Sequence, residues 1–476
     1  MTQTEASVTL ELTLPVADIA ALRRRLRGSL GRPLALTQEW HDDGEGVLAR
    51  HGLALASWSI GRNSGWRAEA LDPSQVPGAA AQVRAEAATA SALQGVVLPD
   101  GLRPVQRLAA RVREGLLADV ALRLVDGRLQ DGHAVARLFL SGPLAEVTAL
   151  GLALAEAVPV SVPPRSLAAE ALLHAGLPVP ARRLGAPDLP AGLPPGAGFA
   201  QAAGHLLGVL LHHAPAAAAG QTGEPVHQMR VALRRLRALA SVFRDVVACP
   251  ELDAVRPGLK ALADALGPAR DWDVFLDGTG RQVQAAFPDI AEVAALMAAA
   301  ASCRTEAYTA LGTTLAGPQL RCLAIGMSAL AIGRPWEGMA DLPTPATAEF
   351  GASVLARRLR QVARQAKGMA SQPDAALHEV RLKAKRLRYA AEVFAPLFPG
   401  RDAQRFLRRL AALQEALGHL NDNAVAAGLM LSLAEHGGGG LAGGLVRGFV
   451  AGQAGQTRRA ATRAWKRLRK AGPFWQ

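Results

Sequence analysis

Two runs of this sequence repeat one arrangement of histidine, arginine and lysine, side chains that hold oxyanions. The cations of the two runs are His227, Arg230, Arg234, Arg235 and Arg237, and then His378, Arg381, Lys385, Arg386 and Arg388. Arginine offers a planar fork of donors that holds a phosphate through two hydrogen bonds, and lysine adds a point charge. The histidine that begins each run becomes cationic when a nearby anion raises its pKa. We therefore predict oxyanion-binding residues in both runs and no catalytic residue.

The two runs belong to a longer internal repeat. They lie 151 residues apart, and the register holds without a gap from His227 to Val274. Of these 48 positions 16 are identical, whereas roughly four or five matches are expected by chance in a chain so rich in alanine and leucine. The sequence thus carries a duplicated, strongly basic helical unit.

Helical spacing separates each run into a basic face and an apolar face. Offsets of 3, 7 and 10 from His227 place Arg230, Arg234 and Arg237 within one sector of about 80°, along roughly 15 Å of helix. Arg235 and Arg386 flank the basic faces. The apolar stripes have heptad-like spacing and comprise Met229, Leu233, Leu236, Ala240 and Phe243, and then Val380, Ala384, Leu387, Ala391 and Phe394. We expect each helix to bury this stripe in a bundle.

Like charges three or four residues apart on a helix repel by roughly 0.2–0.5 kcal/mol per pair. A sequence that accumulates them twice at the same offsets therefore favours a bound polyanion. The alternative is a solvated face whose cations meet acidic side chains on neighbouring helices. The basic patch would be widened by four arginines that precede the second run, Arg357, Arg358, Arg360 and Arg364.

A third basic run closes the chain and places its cations on one helical face. It comprises Arg459, Arg463, Lys466 and Lys470, which we also assign to anion binding. A solvated terminal helix is the alternative here.

Acidic residues near these runs are expected to be structural. Asp271 and Asp422 occupy equivalent positions of the repeat, and they are predicted to be helix N-caps or ion-pair anchors. The cluster of Asp42, Asp43 and Glu45 is predicted to be an acidic loop rather than a metal site. The sequence has no P-loop, dinucleotide fingerprint or nucleophile elbow. We expect neither a metal nor a cofactor.

The chain divides into a mixed N-terminal part and a helical C-terminal part. Residues 1–176 alternate strands with helices, 177–198 form a linker dense in proline and glycine, and 199–476 have helical periodicity. The duplication divides the last part into repeats at about 199–334 and 346–476. The expected elements of the first part are strands at Val8–Leu14, Leu53–Ile60, Ala118–Leu124 and Ala134–Leu140, and a helix at Ile19–Leu30.

Charge follows the same division. Residues 1–196 hold 19 Arg and no Lys against 19 Asp and Glu, whereas 197–476 hold 34 Lys and Arg against 21 Asp and Glu, the whole net charge of +13. This points to a polyanionic partner for the C-terminal part alone. The three cysteines are far apart and outside any CxxC motif, and no apolar run reaches about 18 residues. We expect a cytoplasmic protein with reduced thiols and no membrane partner.

The basic repeat resembles the CHAD family, α-helical domains named for their histidines. The two runs are similar to its paired signatures, as are Leu266-Gly267 with Asp271, Leu417-Gly418 with Asp422, and the closing Pro473-Phe474-Trp475. The resemblance covers about 199–476. It implies two helical bundles related by a pseudo-twofold axis, with a basic groove that binds inorganic polyphosphate.

The neutral half resembles a CYTH domain, an antiparallel α+β tunnel-like barrel, in layout rather than in chemistry. The family's Glu-x-Glu-x-Lys strand is here Glu11-Leu-Thr13-Leu-Pro15, so one glutamate remains. Its Leu-Arg-x-Arg strand is replaced by Leu53–Trp58, and its Thr-Leu-Lys strand by Ala68–Leu71. The resemblance implies inward carboxylates for a metal and inward cations for a triphosphate, and these are largely missing. We expect an inactive tunnel, with Pro15 the least tolerable change because it deletes a strand donor.

These observations leave three functions open. The first is non-enzymatic binding of polyphosphate, at polyphosphate granules or beside polyphosphate-metabolising proteins. The second is triphosphatase or adenylate cyclase activity of the N-terminal barrel. The third is an adaptor for nucleic acid or acidic proteins, for which the basic helices carry few stacking aromatics. Weak nonspecific binding of nucleic acid at low salt is expected in any case.

Overall fold

The protein is described by a computed structural model at residues 7–189, 191–337, 346–435 and 440–475, excluding the side chains at 374, 419–427, 431–432, 434–435 and 450–457. The strands of the N-terminal half are β1 (Ser7–Thr13), β2 (Leu34–Asp42), β3 (Leu53–Ile60), β4 (Asn63–Ala70), β5 (Val83–Ala87), β6 (Arg103–Leu117), β7 (Val120–Leu129) and β8 (Ala134–Pro143). The helices are α1 (Ile19–Arg25), α2 (Val47–Arg50), α3 (Leu144–Ala157), α4 (Leu167–His174), α5 (Pro195–Ala219), α6 (Glu224–Val242), α7 (Arg244–Val247), α8 (Pro250–Phe275), α9 (Arg281–Ala286), α10 (Ala291–Ala316), α11 (Pro318–Gly333), α12 (Thr347–Gln365), α13 (Asp374–Phe394), α14 (Arg401–Glu435) and α15 (Leu441–Arg469).

The strands form one antiparallel sheet in the order β1-β8-β7-β6-β2-β3-β4-β5. Residues alternate between its faces, so leucines of β1 such as Leu10 and Leu12 are buried on one face while Glu11 lies on the other. Strands are confirmed at the four predicted places, although β7 begins at Val120 and not at 118. The first helix begins at Ile19 as predicted but ends at Arg25.

The two edges of the sheet meet, so the sheet curls into a tunnel. The residues just before β5 pair with β1 through a bridge between Leu10 and Ala79, and the amide of Glu11 donates to the carbonyl of Gly78 over 2.7 Å. Gly78 has a φ of +78°, and a Cβ there would lie 2.9 Å from Val162. Only glycine fits this left-handed, crowded position without strain. The closing seam confirms the predicted tunnel-like layout of the N-terminal half.

The expectation for Pro15 is wrong. Strand β1 ends at Thr13, and Pro15 precedes a short 3-10 turn at Val16–Asp18. The missing amide of proline therefore falls beyond the ladder, where the sheet loses no hydrogen bond.

The C-terminal half is helical, as predicted, and its core is built from the expected stripes. All ten residues of the two predicted apolar stripes are buried. Nine of them lie in α6 and α13, and Phe243 directly follows α6. Most residues of helix α11 also lie in the core. Cys249, Cys303 and Cys322 are free thiols.

The basic helices α6 and α13 lie side by side and run in the same direction. Phe243 and Phe394, which are equivalent in the repeat, have ring centroids 5.5 Å apart. Arg234 and Lys385 are also equivalent and interact electrostatically. The two pairs are nine residues apart in each helix, which corresponds to about 13 Å along the helix axes. Equivalent residues therefore face each other at two separate points. An antiparallel pair would bring equivalent residues together at one level only.

No single helix in the described ranges is long and apolar enough to cross a membrane. Helices α10 and α11 meet the length and composition criteria only as a pair, and they are bent by 50° at the break between them.

Candidate functional site: paired basic helices

Lys385 is the centre of the basic site. Burial and the charges of Arg234, Arg381 and further arginines lower the pKa of Lys385 from 10.5 to about 8. These arginines come from both helices, the remaining two being Arg230 and Arg237 of α6. The fold therefore brings the two predicted basic faces onto one centre, where cations face cations.

Helix α8 extends this cluster with a residue that the sequence analysis did not select. Arg270 acts electrostatically on both His227 and Arg230, and it contributes to the lowered pKa values of both, behind the larger effect of burial. Arg270 directly precedes Asp271, one of the matched positions of the repeat. This place beside the repeated motif is the feature of the sequence from which Arg270 could have been predicted. Gly267 of the same pair lies beside the guanidinium of Arg230, whose Nη1 would be 3.6 Å from an added Cβ.

Asp271 is an anion facing this cluster. It lies within α8, close to its C-terminal end, and the predicted role of N-cap is therefore wrong. Its charge counteracts the lowering of the pKa of Arg230, which agrees with the alternative role of ion-pair anchor. The side chain of Asp422, its equivalent, lies outside the described residues.

Glu392 neutralises the other end of the pair. Its carboxylate lies 2.6 Å from Nε of Arg388 and 3.6 Å from Nε of Arg235, so it joins the two helices. Arg388 also donates to Gln414 over 3.0 Å. Glu392 thus pairs with one predicted binding residue of each helix, Arg235 of α6 and Arg388 of α13.

Arg234 is held over an aromatic ring rather than by an acid. Its Cζ lies 5.0 Å from the ring centroid of Tyr389. Its Nε is buried and has no acceptor among the described residues. Burial raises the pKa of Tyr389 to about 12, although Arg234 acts in the opposite direction. The ring of Tyr389 therefore holds this guanidinium through a cation–π contact.

The predicted residues of the two basic runs differ in their exposure to solvent. Arg237, His378 and Arg386 are exposed, while His227, Arg230, Arg235, Arg381, Lys385 and Arg388 are half-buried. The buried Arg358 donates to the carbonyl of Arg386 and to Ser241, so it fastens α12 to both basic helices instead of widening the patch.

The third basic run lies on α15, outside the paired helices α6 and α13. Arg459, Arg463, Lys466 and Lys470 are exposed along α15, which packs on α14. Arg463 and Arg467 line a groove between these helices opposite Arg408 and Arg409, with Glu415 as its acid. The described contacts do not join this groove to the site around Lys385.

The tunnel holds a second set of charges, and these are matched. Arg137 donates to Glu11 over 3.0 Å and also pairs with Glu170 of α4. Arg67 lies 2.8 Å from Glu69. Glu11, Arg67, Glu69 and Arg123 line one cavity although they come from strands at both ends of the sheet order, so they lie on the inner face.

Burial dominates the electrostatics of the tunnel. It raises the pKa of Glu11 to about 7, against the lowering effect of Arg137. Helix α4 packs on the inner face, where its alanines and Leu172 join the cluster around Trp40. No group of three or more metal-ligating side chains was found in the described ranges. In the predicted acidic loop, Asp42 and Asp43 accept amide hydrogen bonds at the start of α2.

The inner arginines Arg67, Arg123 and Arg137 were not predicted, because they do not belong to the family motifs that the sequence resembles. Strand alternation was the usable signal. In the register of β1 and β8, Thr13 is opposite Arg137 and Glu11 is opposite Phe139, which puts Arg137 diagonal to Glu11 on one face.

Comparison with known proteins supports the resemblance of the helical half to the CHAD domain. Residues 201–431 match the model of the CHAD domain. The crystal structure of the CHAD domain from the plant Ricinus communis is similar with a TM-score of 0.53 and 28% identity, over 61% of this chain and 97% of that one. An uncharacterised protein of Mycobacterium tuberculosis H37Rv is 31% identical over 176 residues, or 35% of this chain. Its counterpart in strain CDC 1551 is 30% identical over 176 residues.

The chain spans about a third of the length of these curated relatives, since the alignments cover 34% of each. A Hippeastrum protein described as a putative adenylyl cyclase with a dominant triphosphatase activity covers 37% of this chain, at 13% identity and a TM-score of 0.30. A likeness of that degree carries no argument, so the N-terminal layout rests on the curled antiparallel sheet itself. Residues 201–431 thus match the CHAD domain, and a curled antiparallel sheet precedes them in the chain.

Proposed function

We propose that the paired basic faces of α6 and α13 bind inorganic polyphosphate. The observation that carries the proposal is the cluster around Lys385, where arginines of both helices lower the pKa of the lysine to about 8. Such a concentration of like charge is unfavourable, so a bound anion removes repulsion as well as forming charge-assisted hydrogen bonds.

A linear polyanion fits better than a single phosphate. The cations extend from His227 to Arg237, roughly 15 Å of helix, and Arg270 adds to them from α8. One phosphate contacts a few donors at one level, whereas linked phosphates follow the whole row. Each neutralised phosphate releases counterions, so affinity should fall steeply as salt rises.

Tyr389 favours polyphosphate over single-stranded nucleic acid. Stacking of bases needs a free aromatic face, and Arg234 covers a face of this ring at 5.0 Å. Competition between polyphosphate and single-stranded DNA at matched salt tests the preference. We expect polyphosphate to displace DNA, and displacement in the opposite sense would support the adaptor function.

The groove is tested by filter binding of long-chain polyphosphate to an Arg230→Ala/Arg381→Ala double variant. We expect a loss of about a hundredfold, because two charge-assisted contacts to phosphate disappear together. The matched control is Lys260→Ala/Arg281→Ala, which removes the same net charge from side chains that are 70% and 72% exposed. Equal losses in both variants would show that net charge, and not this groove, binds the polymer.

We also propose that the tunnel is not an enzyme. The pairing of Arg137 with Glu11 and Glu170 supports this, because these side chains satisfy one another. The packing of α4 on the inner face also supports it, since the helix takes space that a substrate needs. Phosphate release from triphosphate with Mg²⁺ or Mn²⁺ is the test. Turnover that Glu11→Ala abolishes would overturn the proposal.

Binding of this kind would carry the protein to polyphosphate granules and to the proteins that metabolise the polymer. Imaging of a fluorescent fusion beside stained granules tests this. Granule association should be lost in Arg230→Ala/Arg381→Ala and kept in Lys260→Ala/Arg281→Ala.

A further inference from the structure

One rim of the tunnel carries exposed leucines beside a row of arginines. Leu34 of β2 is 49% exposed, and Leu116 and Leu117 of β6 are 63% and 36% exposed. The segment that leads from α1 to β2 adds five exposed arginines, which are Arg23, Arg24, Arg25, Arg27 and Arg32. Exposed apolar side chains beside charges of one sign are typical of an interaction surface.

The arginine-rich segment is fixed to the hairpin of β6 and β7. Leu30 and Gly115 form an isolated bridge. The amide of Gly31 donates to the carbonyl of Glu114 over 2.8 Å. A Cβ at Gly115 would lie 1.7 Å from the carbonyl oxygen of Ser29, so the two segments are in close contact. The arginines before and after this contact therefore lie beside the exposed leucines of the hairpin.

The leucines of β6 lie at a protruding tip. Strands β6 and β7 pair as far as Leu117 and Val120, which leaves the two-residue turn Ala118-Asp119. The regular pairing of β6 with β2 already ends at Val112, so the hairpin continues beyond its neighbouring strand. A two-residue turn leaves the flanking residues little conformational freedom. The exposed leucines are thus held at the end of a paired hairpin.

Cations outnumber acids at this rim. The segment from 19 to 38 contains no aspartate or glutamate. The exposed Arg62 lies at the same end of the sheet, since the amide before it donates to the carbonyl of Ala35 over 3.4 Å. The tip of the hairpin contributes two exposed acids, Glu114 and Asp119. The rim therefore has an excess of positive charge, although the N-terminal half as a whole is neutral.

We propose that this rim binds the surface of a bilayer that contains anionic lipids. The arginines would contact lipid phosphates, while Leu116 and Leu117 would enter the boundary between headgroups and acyl chains. Polyphosphate and nucleic-acid backbones offer no apolar contact to these leucines. A protruding tip also suits a deformable bilayer better than the concave pocket of a protein partner.

This surface is compatible with the lack of a long apolar run. The expectation of no membrane partner followed from the length of the apolar runs, which limits spanning and not binding at the surface. The proposal is also independent of polyphosphate binding, because the rim contains no residue of α6 or α13.

Co-sedimentation of the full-length protein with vesicles tests the lipid preference. Vesicles of phosphatidylcholine alone are compared with vesicles in which phosphatidylglycerol replaces part of it. We expect binding to the anionic vesicles to be at least about tenfold stronger, since each arginine near an anionic surface adds to the attraction. Equal binding to both kinds of vesicle, or binding to neither, would overturn the proposal.

Uncharged substitutions separate the rim from the basic helices, which also attract anionic vesicles. Leu116→Ser/Leu117→Ser keeps the net charge and should weaken binding by at least about tenfold, because the apolar contact with the bilayer is lost. The control is Val97→Ser/Leu184→Ser, at side chains that are 88% and 42% exposed and belong to neither segment of the rim. Equal affinities of the two variants would contradict insertion of the hairpin.

Neutralised arginines test the charged part of the surface. Arg24→Gln/Arg27→Gln should weaken binding to anionic vesicles by about twentyfold. Arg103→Gln/Arg128→Gln removes the same charge from exposed side chains at the ends of β6 and β7 that are far from the tip, and it should have little effect. Filter binding of polyphosphate should be alike in both variants. A loss of vesicle binding in the arginine variant that the leucine variant does not share would indicate a purely ionic contact, as with an acidic protein, and would overturn the proposal.

Discussion

The tunnel and the paired basic helices both contain clustered arginines, but the neighbours of these arginines differ in charge. In the tunnel Arg137 meets Glu11 and Glu170, and Arg67 meets Glu69. Between α6 and α13 the neighbours of Lys385 are arginines. Arginines of the tunnel therefore pair with carboxylates inside the fold, whereas those around Lys385 lie beside another cation.

Burial explains why the two regions differ. Arg137 and Glu11 are 3% and 2% exposed, so neither charge reaches water and each needs the other. The cations around Lys385 are half-buried and keep part of their hydration. A concentration of like charge is therefore tolerated there, and burial together with these arginines lowers the pKa of the lysine.

The sharpest way to break the comparison is to remove the central cation of the tunnel. Arg137→Ala should lower the free energy of unfolding by about 3–5 kcal/mol, because Glu11 and Glu170 lose their partner. Arg107→Ala on the same sheet is the control, since its side chain is 55% exposed and lies 3.7 Å from Glu39. Its loss should stay below about 1 kcal/mol. Urea unfolding measures both, and similar losses would contradict a structural role for the inner pairs.

Charge reversal at the centre of the basic site should have the opposite effect on stability. Lys385→Glu should raise the melting temperature, because it replaces repulsion by attraction among the surrounding arginines. It should also weaken polyphosphate binding by about a hundredfold. Lys260→Glu changes the net charge equally at a side chain that is 70% exposed. A fall in melting temperature for Lys385→Glu would place this lysine among the structural cations.

Polyphosphate affinity should fall as pH rises through 8. The pKa of Lys385 is lowered from 10.5 to about 8, so above pH 8 the free protein must take up a proton to bind. The decrease should reach at most about tenfold per pH unit. Arg230, Arg234 and Arg237 of α6 and Arg381 of α13 act on Lys385 and keep their charge across this range.

Folding stability should move in the other direction over the same range. Between about pH 8 and 10.5 the unfolded chain binds the proton that folded Lys385 has lost, so stability from this group rises with pH. Melting curves and binding isotherms between pH 7 and 9.5 measure the two trends. Lys385→Met should remove both, and trends that persist in this variant would assign them to other groups.

The smallest change in polyphosphate affinity is expected at Glu392, where the basic site pairs arginines with a carboxylate as the tunnel does. Glu392 pairs with Arg235 and Arg388, as a tunnel carboxylate does. Glu392→Gln should free both arginines and raise polyphosphate affinity by about threefold to tenfold. Its matched control is Glu337→Gln, since Glu337 is 49% exposed and pairs with Arg334 over 3.0 Å, away from the basic runs in the sequence. A weaker affinity in Glu392→Gln would show that this carboxylate positions the arginines for binding.

Features that depend on neighbouring residues were predictable from the sequence. The basic and apolar faces of α6 and α13 follow from helical spacing, and the apolar residues from Met229 to Phe243 are buried as expected. Strand alternation likewise placed β3 at Leu53–Ile60. The duplication further indicated that the two basic helices have the same basic and apolar faces and therefore the same role.

Which charges face one another was decided by the tertiary structure alone. The sequence did not show that Lys385 lies among arginines of α6, that Glu392 neutralises Arg235, or that Arg137 meets Glu11 inside the tunnel. Glu11 and Arg137 are 126 residues apart in the chain, and their nitrogen and oxygen atoms lie 3.0 Å apart. Periodicity assigns a side chain to a face over a few turns or strand residues. The energy of a charge depends on its distance to other charges and to water, which the packing of distant segments sets.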